Sequence, residues 1–312
     1  MRLKLLLHND DRHSFSHAHL QSLLSRYFDI VIWQPKTHYD RDHILVVDSF
    51  KLKRNPPNFW YQQYLARGYR VIVDNMWEIA SFVAERFPDD VSTCHVMQNT
   101  NWFWYNESLH YTSQGLNTYV PAKTYEKLAF MPMRVDRGHR RELVIRLSGL
   151  LNQLIWSFNA HGRQLPGDLL PDHKNYQRHF NPEWYDHTHF SIVAESQMSN
   201  PEIFVTEKTF KPMAFYHPFV AVAQSGLLDY LHTQGFETFE NLFDESYDTI
   251  FHDLDRLQAV VSTIKNYTCE PYDKLTQQKI AHNRNRFFDQ ALVHDRFIKE
   301  IIEPIIHYAE SR

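Results

Sequence analysis

The strongest chemical signal in the chain lies in one short stretch that holds Thr206, Glu207, Lys208 and Lys211. Apolar runs at 190–194 and 219–223 flank it, so 190–224 reads as strand, loop, helix and strand. Such a βαβ unit presents ligands at the carboxyl ends of its strands. Thr206 has the side chain of an N-cap, whose oxygen accepts from a helix N–H. Glu207 and Lys208 then fall in the first turn, where unpaired N–H groups and the helix dipole favour a bound anion. Lys208 and Lys211 share one helix face, giving two ammonium groups that can bracket a diphosphate. Glu207 suits ribose hydroxyls, as the acidic residue of dinucleotide-binding folds does. Glu195 closes a strand that reads as fully buried, so its carboxylate needs a ligand or a helix to cap.

A second basic group, Arg137, His139, Arg140 and Arg141, precedes a helical stripe of Leu143, Leu147, Leu150 and Leu151. An arginine fork suits a diphosphate, with Arg137 or Arg140 as the candidate; a solvated helix face is the plain alternative. The twenty histidines invite a metal reading, but His8, His13, His17 and His19 are loosely spaced. There is no His-Glu-x-x-His or Asp-x-Asp motif, and the pairs Asp10–Asp11 and Asp89–Asp90 would diverge on a strand. No metal site is expected. The aromatic run 101–105 could stack on a sugar or base, but tryptophans two apart on a strand belong more naturally to a core.

The elements that must position these groups alternate. Short apolar strands are expected at 2–7, 29–33, 44–47, 70–73, 94–98 and 118–120, with helices at 17–27, 59–67 and 79–87 between them. Gly68 reads as a helix C′ residue and Pro56–Pro57 as a break. A strand at 154–158 opens a second half, followed by the central βαβ unit and helices at 227–234, 250–266 and 293–308, the last interrupted by Pro304. Buried strands alternating with helices imply open parallel sheets in two Rossmann-like α/β domains, with a boundary near residue 150.

The 312 residues, 43% of them hydrophobic, are enough for two cores. A net charge of −4 gives no global field for extended nucleic-acid binding, and eight glycines leave no Gly-rich phosphate loop. Two cysteines, Cys94 and Cys269, are too few for a disulfide scaffold. With no signal-like or membrane-length apolar run, a soluble cytoplasmic protein is expected.

The motif residues also resemble a known group. Val193-Ala194-Glu195, then Phe204-Val205-Thr206-Glu207-Lys208, then His217-Pro218-Phe219-Val220 are similar to the nucleotide-sugar-binding segment of the α1,3-fucosyltransferases and related bacterial and phage glycosyltransferases. Their pattern is an apolar strand ending in Phe-Glu-Asn, then Tyr-Ile-Thr-Glu-Lys, a helix, and a Val-Pro-Val-like strand. Here Ser196 stands for the Asn, and Tyr216-His217 for a small Ala-Gly pair. The basic cluster before a helix and a Trp-Ser-Phe strand resembles the same group, in which a basic residue there reaches the donor phosphates. The resemblance covers about a tenth of the chain strongly and half of it loosely.

It implies the GT-B arrangement, two Rossmann-like domains facing across a cleft. Residues 1–150 would form the acceptor side and 151–312 the nucleotide-sugar domain, with the last helix packing back on the first. The implied reaction moves a sugar from a nucleoside diphosphate to an acceptor hydroxyl, inverting and metal-independent, with no cofactor beyond the donor substrate. A general base should then come from the first half, among Asp10, Asp11, Asp48, Asp74, Glu78 and His8, with Asp10 or Asp74 leading. The acceptor is a glycan or another hydroxyl. Modified bases of phage DNA are an alternative that the net charge disfavours, and a non-catalytic nucleotide-sugar-binding protein is another.

Overall fold

The computed structural model describes residues 2–8, 18–33, 37–40, 42–48, 68–75, 94–98, 100–165, 181–199 and 202–311. The chain divides into two compact units, 1–110 with 290–312 and 111–289. The sequence boundary near 150 is therefore misplaced, and the final segment groups with the first unit. The cause is a strand missed by sequence: Lys127–Met133 belongs to the second sheet, although Pro132 and the arginines after it disguise it.

In the first unit, β1 (Lys4–His8), β2 (Asp29–Trp33), β3 (His43–Asp48), β4 (Arg70–Asn75) and β5 (Cys94–Gln98) form a parallel sheet in the order β2-β1-β3-β4-β5. Leu5, Leu6 and Leu7 are all buried, as consecutive residues of a strand covered on both faces must be. Among the described residues, α1 (Ala18–Leu24) follows β1 and buries Leu20, Leu23 and Leu24. The aromatic run begins α2 (Trp102–Ser113) rather than a strand. Trp102, Trp104 and Tyr105 are core residues, so burial outweighs their β propensity.

The second unit carries β6 (Lys127–Met133), α3 (Gly138–Arg146), β7 (Leu154–Phe158), α4 (Pro182–Asp186), β8 (Thr188–Ala194), α5 (Glu207–Ala214) and β9 (Phe219–Val222). Helices α6 (Leu227–Thr233), α7 (Asp253–Asn266) and α8 (Lys274–Phe288) complete it. Its parallel sheet runs β7-β6-β8-β9, with β8 and β9 buried at every position. The strand expected at 118–120 does not form. Leu116–Thr118 is a 3-10 turn, and Arg284 turns the carbonyls of Leu116, Asn117 and Tyr119 towards its guanidinium.

The last segment, in the first unit, comprises α9 (Gln290–Phe297), a π-helical turn at Ile298–Ile302 and α10 (Glu303–Glu310). Pro304 comes just after the π-helical turn, so the run bends to a wider turn where a proline removes a backbone donor. Gly68, at φ +80°, takes the left-handed conformation expected of a C′ residue.

Candidate functional site

The connection from β6 leads to β7 on one side, whereas that from β8 leads to β9 on the other. The crevice between the carboxyl ends of β6 and β8 is thus the switch point of the second sheet, where open α/β sheets bind ligands. The helices that leave these two strands, α3 and α5, both begin there.

Glu195 joins them. Its carboxylate accepts from Thr206 N at 3.0 Å, Thr209 Oγ1 at 2.7 Å, Ser196 N at 3.1 Å and Thr206 Oγ1 at 2.6 Å. The three bonds from Thr206 and Thr209 bind the start of α5 to the end of β8. The side chain is wholly inaccessible to solvent, so Glu195 positions the site rather than lining a sugar or ribose pocket. Its main-chain carbonyl serves α3, accepting from His139 Nε2 at 3.0 Å and Arg140 Nη2 at 3.0 Å.

Arg140 is a buried strut. It also donates to the carbonyls of Ala194 at 2.8 Å and Val135 at 2.9 Å, fixing the β6–α3 turn against β8. That removes it as a phosphate ligand. Arg137 is the remaining candidate of that pair: it is the N-cap residue of α3, exposed, with its side chain unpartnered among the described residues. Arg141 is exposed and pairs with Asp136.

At the start of α5, Thr206 caps the helix as the sequence implied, its side chain accepting from Lys208 N. The Lys208 ammonium folds back over this turn, 2.8 Å from Glu207 Oε1, 3.1 Å from Thr206 Oγ1 and 3.4 Å from Ser196 Oγ. Glu207 is only 8% exposed. Burial alone would raise its pKa, but Lys208 and Lys211 outweigh it and hold the carboxyl below its usual range. Lys211 is half-buried on the same helix. Two helix N-termini and the cations Arg137 and Lys208 therefore gather around one strand end, with Lys211 a turn further along α5, an arrangement suited to an anion carrying more than one charge.

The rim has parts that sequence reasoning missed. Arg256 of α7 is buried and donates to the carbonyls of Met198, Ala223, Ile250 and Phe251, while Ser199 bonds Asp253. The loop after β8 is thereby held to the start of α7. The Thr206/Thr209 spacing beside a strand-closing acid was a usable signal for the Glu195 brace. Arg256 gave none, because it sits in an ordinary amphipathic helix.

The catalytic-base candidates belong to the first unit. Asp10, Asp11 and Glu78 lie outside the described residues. Asp74 falls near the carboxyl end of β4, its backbone in register with Asp48 of β3 and Met97 of β5, and His8 ends β1. The one cluster of metal-ligand type among the described residues, Asp40, Asp42 and His43, is in the first unit, and Asp42 there pairs with Lys4 at 2.9 Å. No described helix is long and apolar enough to cross a membrane.

No family model matches the chain. No curated protein matches it either. Among solved structures, an α1,3-fucosyltransferase aligns at 9% identity and a TM-score of 0.45, covering 94% of this chain and 92% of that one. A DNA-modifying β-glucosyltransferase aligns at 9% identity and a TM-score of 0.48, covering 96% and 99%. T4 phage BGT in complex with its UDP-glucose substrate aligns at 12% and 0.46, with the same coverage. Similarity this distant says nothing of what this chain binds, which has to be read from its own residues.

Proposed function

We propose that the crevice between β6 and β8 binds a nucleoside diphosphate sugar and that the chain is a glycosyltransferase. The observation that carries this reading is the meeting of the α3 and α5 N-termini at the switch point, with Lys208 and Arg137 beside it. The Thr-Glu-Lys resemblance supports it, because Thr206, Glu207 and Lys208 stand where that group holds its donor. In this reading Lys208, Lys211 and Arg137 take the diphosphate, and Glu207 takes ribose hydroxyls. When the bond to the sugar breaks, the nucleoside diphosphate gains charge. Fixed cations and helix N–H groups aimed at it stabilise the transition state more than the ground state.

Side-chain cations supply this neutralisation, so transfer needs no metal ion. The acceptor attacks with inversion, and a carboxylate of the first unit, Asp10 or Asp74, takes its proton. A thermal-shift and calorimetric screen of UDP, GDP, CMP and ADP with their sugars tests the reading. One nucleotide should stabilise the protein in proportion to its concentration over Kd, with or without EDTA. If none binds, or if binding survives loss of Lys208 and Arg137 together, the site is wrongly assigned.

A further inference from the structure

His139 stands in the first turn of α3 with its two ring nitrogens in different situations. Nε2 lies 3.0 Å from the Glu195 carbonyl oxygen, which can only accept, so Nε2 carries a proton and donates. Nδ1 has no partner among the described residues and is not sealed from solvent. The residue is half-buried, and burial pushes its pKa down to about 4. The Glu195 carbonyl and Asp253 oppose this and Arg140 and Arg137 add to it, with burial the largest influence. The imidazole is therefore neutral near pH 7, with its tautomer fixed by the Glu195 bond. Its open nitrogen is an acceptor in a site otherwise rich in donors.

Resting on the nucleotide-sugar reading above, we propose that His139 Nδ1 accepts a hydrogen bond from a hydroxyl of the bound nucleotide sugar. The surroundings favour a hydroxyl over a phosphate oxygen. A phosphate oxygen facing a lone pair is repelled, whereas a hydroxyl can donate to Nδ1 and still accept from a neighbouring N–H. Glu195 O is shared by His139 and Arg140, and the next residue, Ser196, lies 3.4 Å from the Lys208 ammonium. Nδ1 is thus placed near the cations that take the diphosphate, within reach of the pentose or hexose attached to it. A residue serving only to brace α3 would need Nε2 alone.

The test uses His139→Phe, which keeps a flat ring but carries no acceptor, while Arg140 still donates to Glu195 O. Calorimetry would compare wild type and variant with UDP, GDP, UDP-glucose, GDP-fucose and the 2′- and 3′-deoxy nucleotides. Loss of one hydrogen bond predicts about fivefold to tenfold weaker binding by the variant. One hydroxyl should be selective: removing it from the ligand weakens wild type by that factor and the variant not at all. A ribose partner shows with the deoxy nucleotides, and a partner on the transferred sugar shows only when nucleotide sugars are compared with bare nucleotides. Equal affinity of the two proteins overturns the proposal, and so does a loss that is the same for every ligand, the mark of a brace. No binding of any nucleotide by wild type would instead sink the nucleotide-sugar reading itself, and this inference with it.

Discussion

Removing Lys208 should damage two properties of the protein at once, and their relative sizes check the site. An exposed lysine could be replaced by alanine with no effect on folding. Here the Lys208 side chain is 18% exposed, and its ammonium pairs at 2.8 Å with Glu207, whose side chain is 10% exposed. A buried charge stripped of its only partner typically costs roughly 3–5 kcal/mol. Lys211 and the first-turn N–H groups remain beside Glu207, so Lys208→Ala should cost less, about 1–2 kcal/mol. Nucleotide affinity should fall further. A charge-assisted contact to a phosphate is worth about 1.5–3 kcal/mol, or roughly a tenfold to 150-fold weakening. Urea denaturation of the ligand-free protein gives the first quantity and calorimetry with UDP or GDP the second. Adding Glu207→Gln to Lys208→Ala should recover part of the stability, since no buried carboxylate is left unpaired, but none of the affinity. Wild-type affinity in Lys208→Ala would refute the anion site, and wild-type stability would refute the pairing.

The two arginines of the α3 turn should separate cleanly. Arg137→Ala is expected to weaken nucleotide binding several-fold in calorimetry with stability within about 0.5 kcal/mol of wild type. Arg140→Met should lower stability by about 2–4 kcal/mol in urea, because the carbonyls of Val135, Ala194 and Glu195 lose their buried donor. Glu195→Gln turns an NH2 group towards donors that now share a carboxylate, and should cost a similar amount on the same measurement. Acidification should destabilise the fold. A histidine whose folded pKa is depressed contributes stability above its unfolded pKa and loses it as pH falls towards the folded value, which for His139 is the window from about 6.5 to about 4. His217, buried against Ser191 and Thr188, and His189 act in the same direction, so His139→Gln should flatten part of that limb in pH-dependent melts and leave the rest.

Short apolar strands were legible in the sequence because they leave runs that nothing else explains, even at the sheet edges, where β2 and β7 are only partly buried. The runs at 29–33, 94–98 and 154–158 coincide with β2, β5 and β7. Lys127–Met133 was hidden because a proline lies within it and its end runs into a charged turn. That single omission moved the division between the units by about forty residues. Within the site, the cap at Thr206 and the first-turn placement of Glu207 and Lys208 follow from local rules and could be read directly. The fate of Glu195 and Arg140 could not. A buried carboxylate or guanidinium needs partners, but sequence does not say whether these are a ligand or the protein's own backbone. In the structure both are met by the protein's own groups, some of them 11 to 55 positions away in the chain.

The two buried charges have a common consequence for the exposed ones. A helix N-terminus attracts an anion only within its first turn, so two helices reinforce each other only if both ends are held at one place. Glu195 achieves this with separate parts of one residue, its carboxylate fixing α5 and its carbonyl fixing α3. Arg140 adds a second tie from α3 to the same strand end. Neither side chain is then available to a ligand, yet each determines where Lys208, His139 and Arg137 stand. Much of the charge in this crevice is thus spent on geometry, and in the proposed reading Lys208 and Arg137 are the cations that meet the ligand at the two helix starts. Preorganisation of that kind is what a site needs if its donors are to meet charge that develops only as a bond breaks.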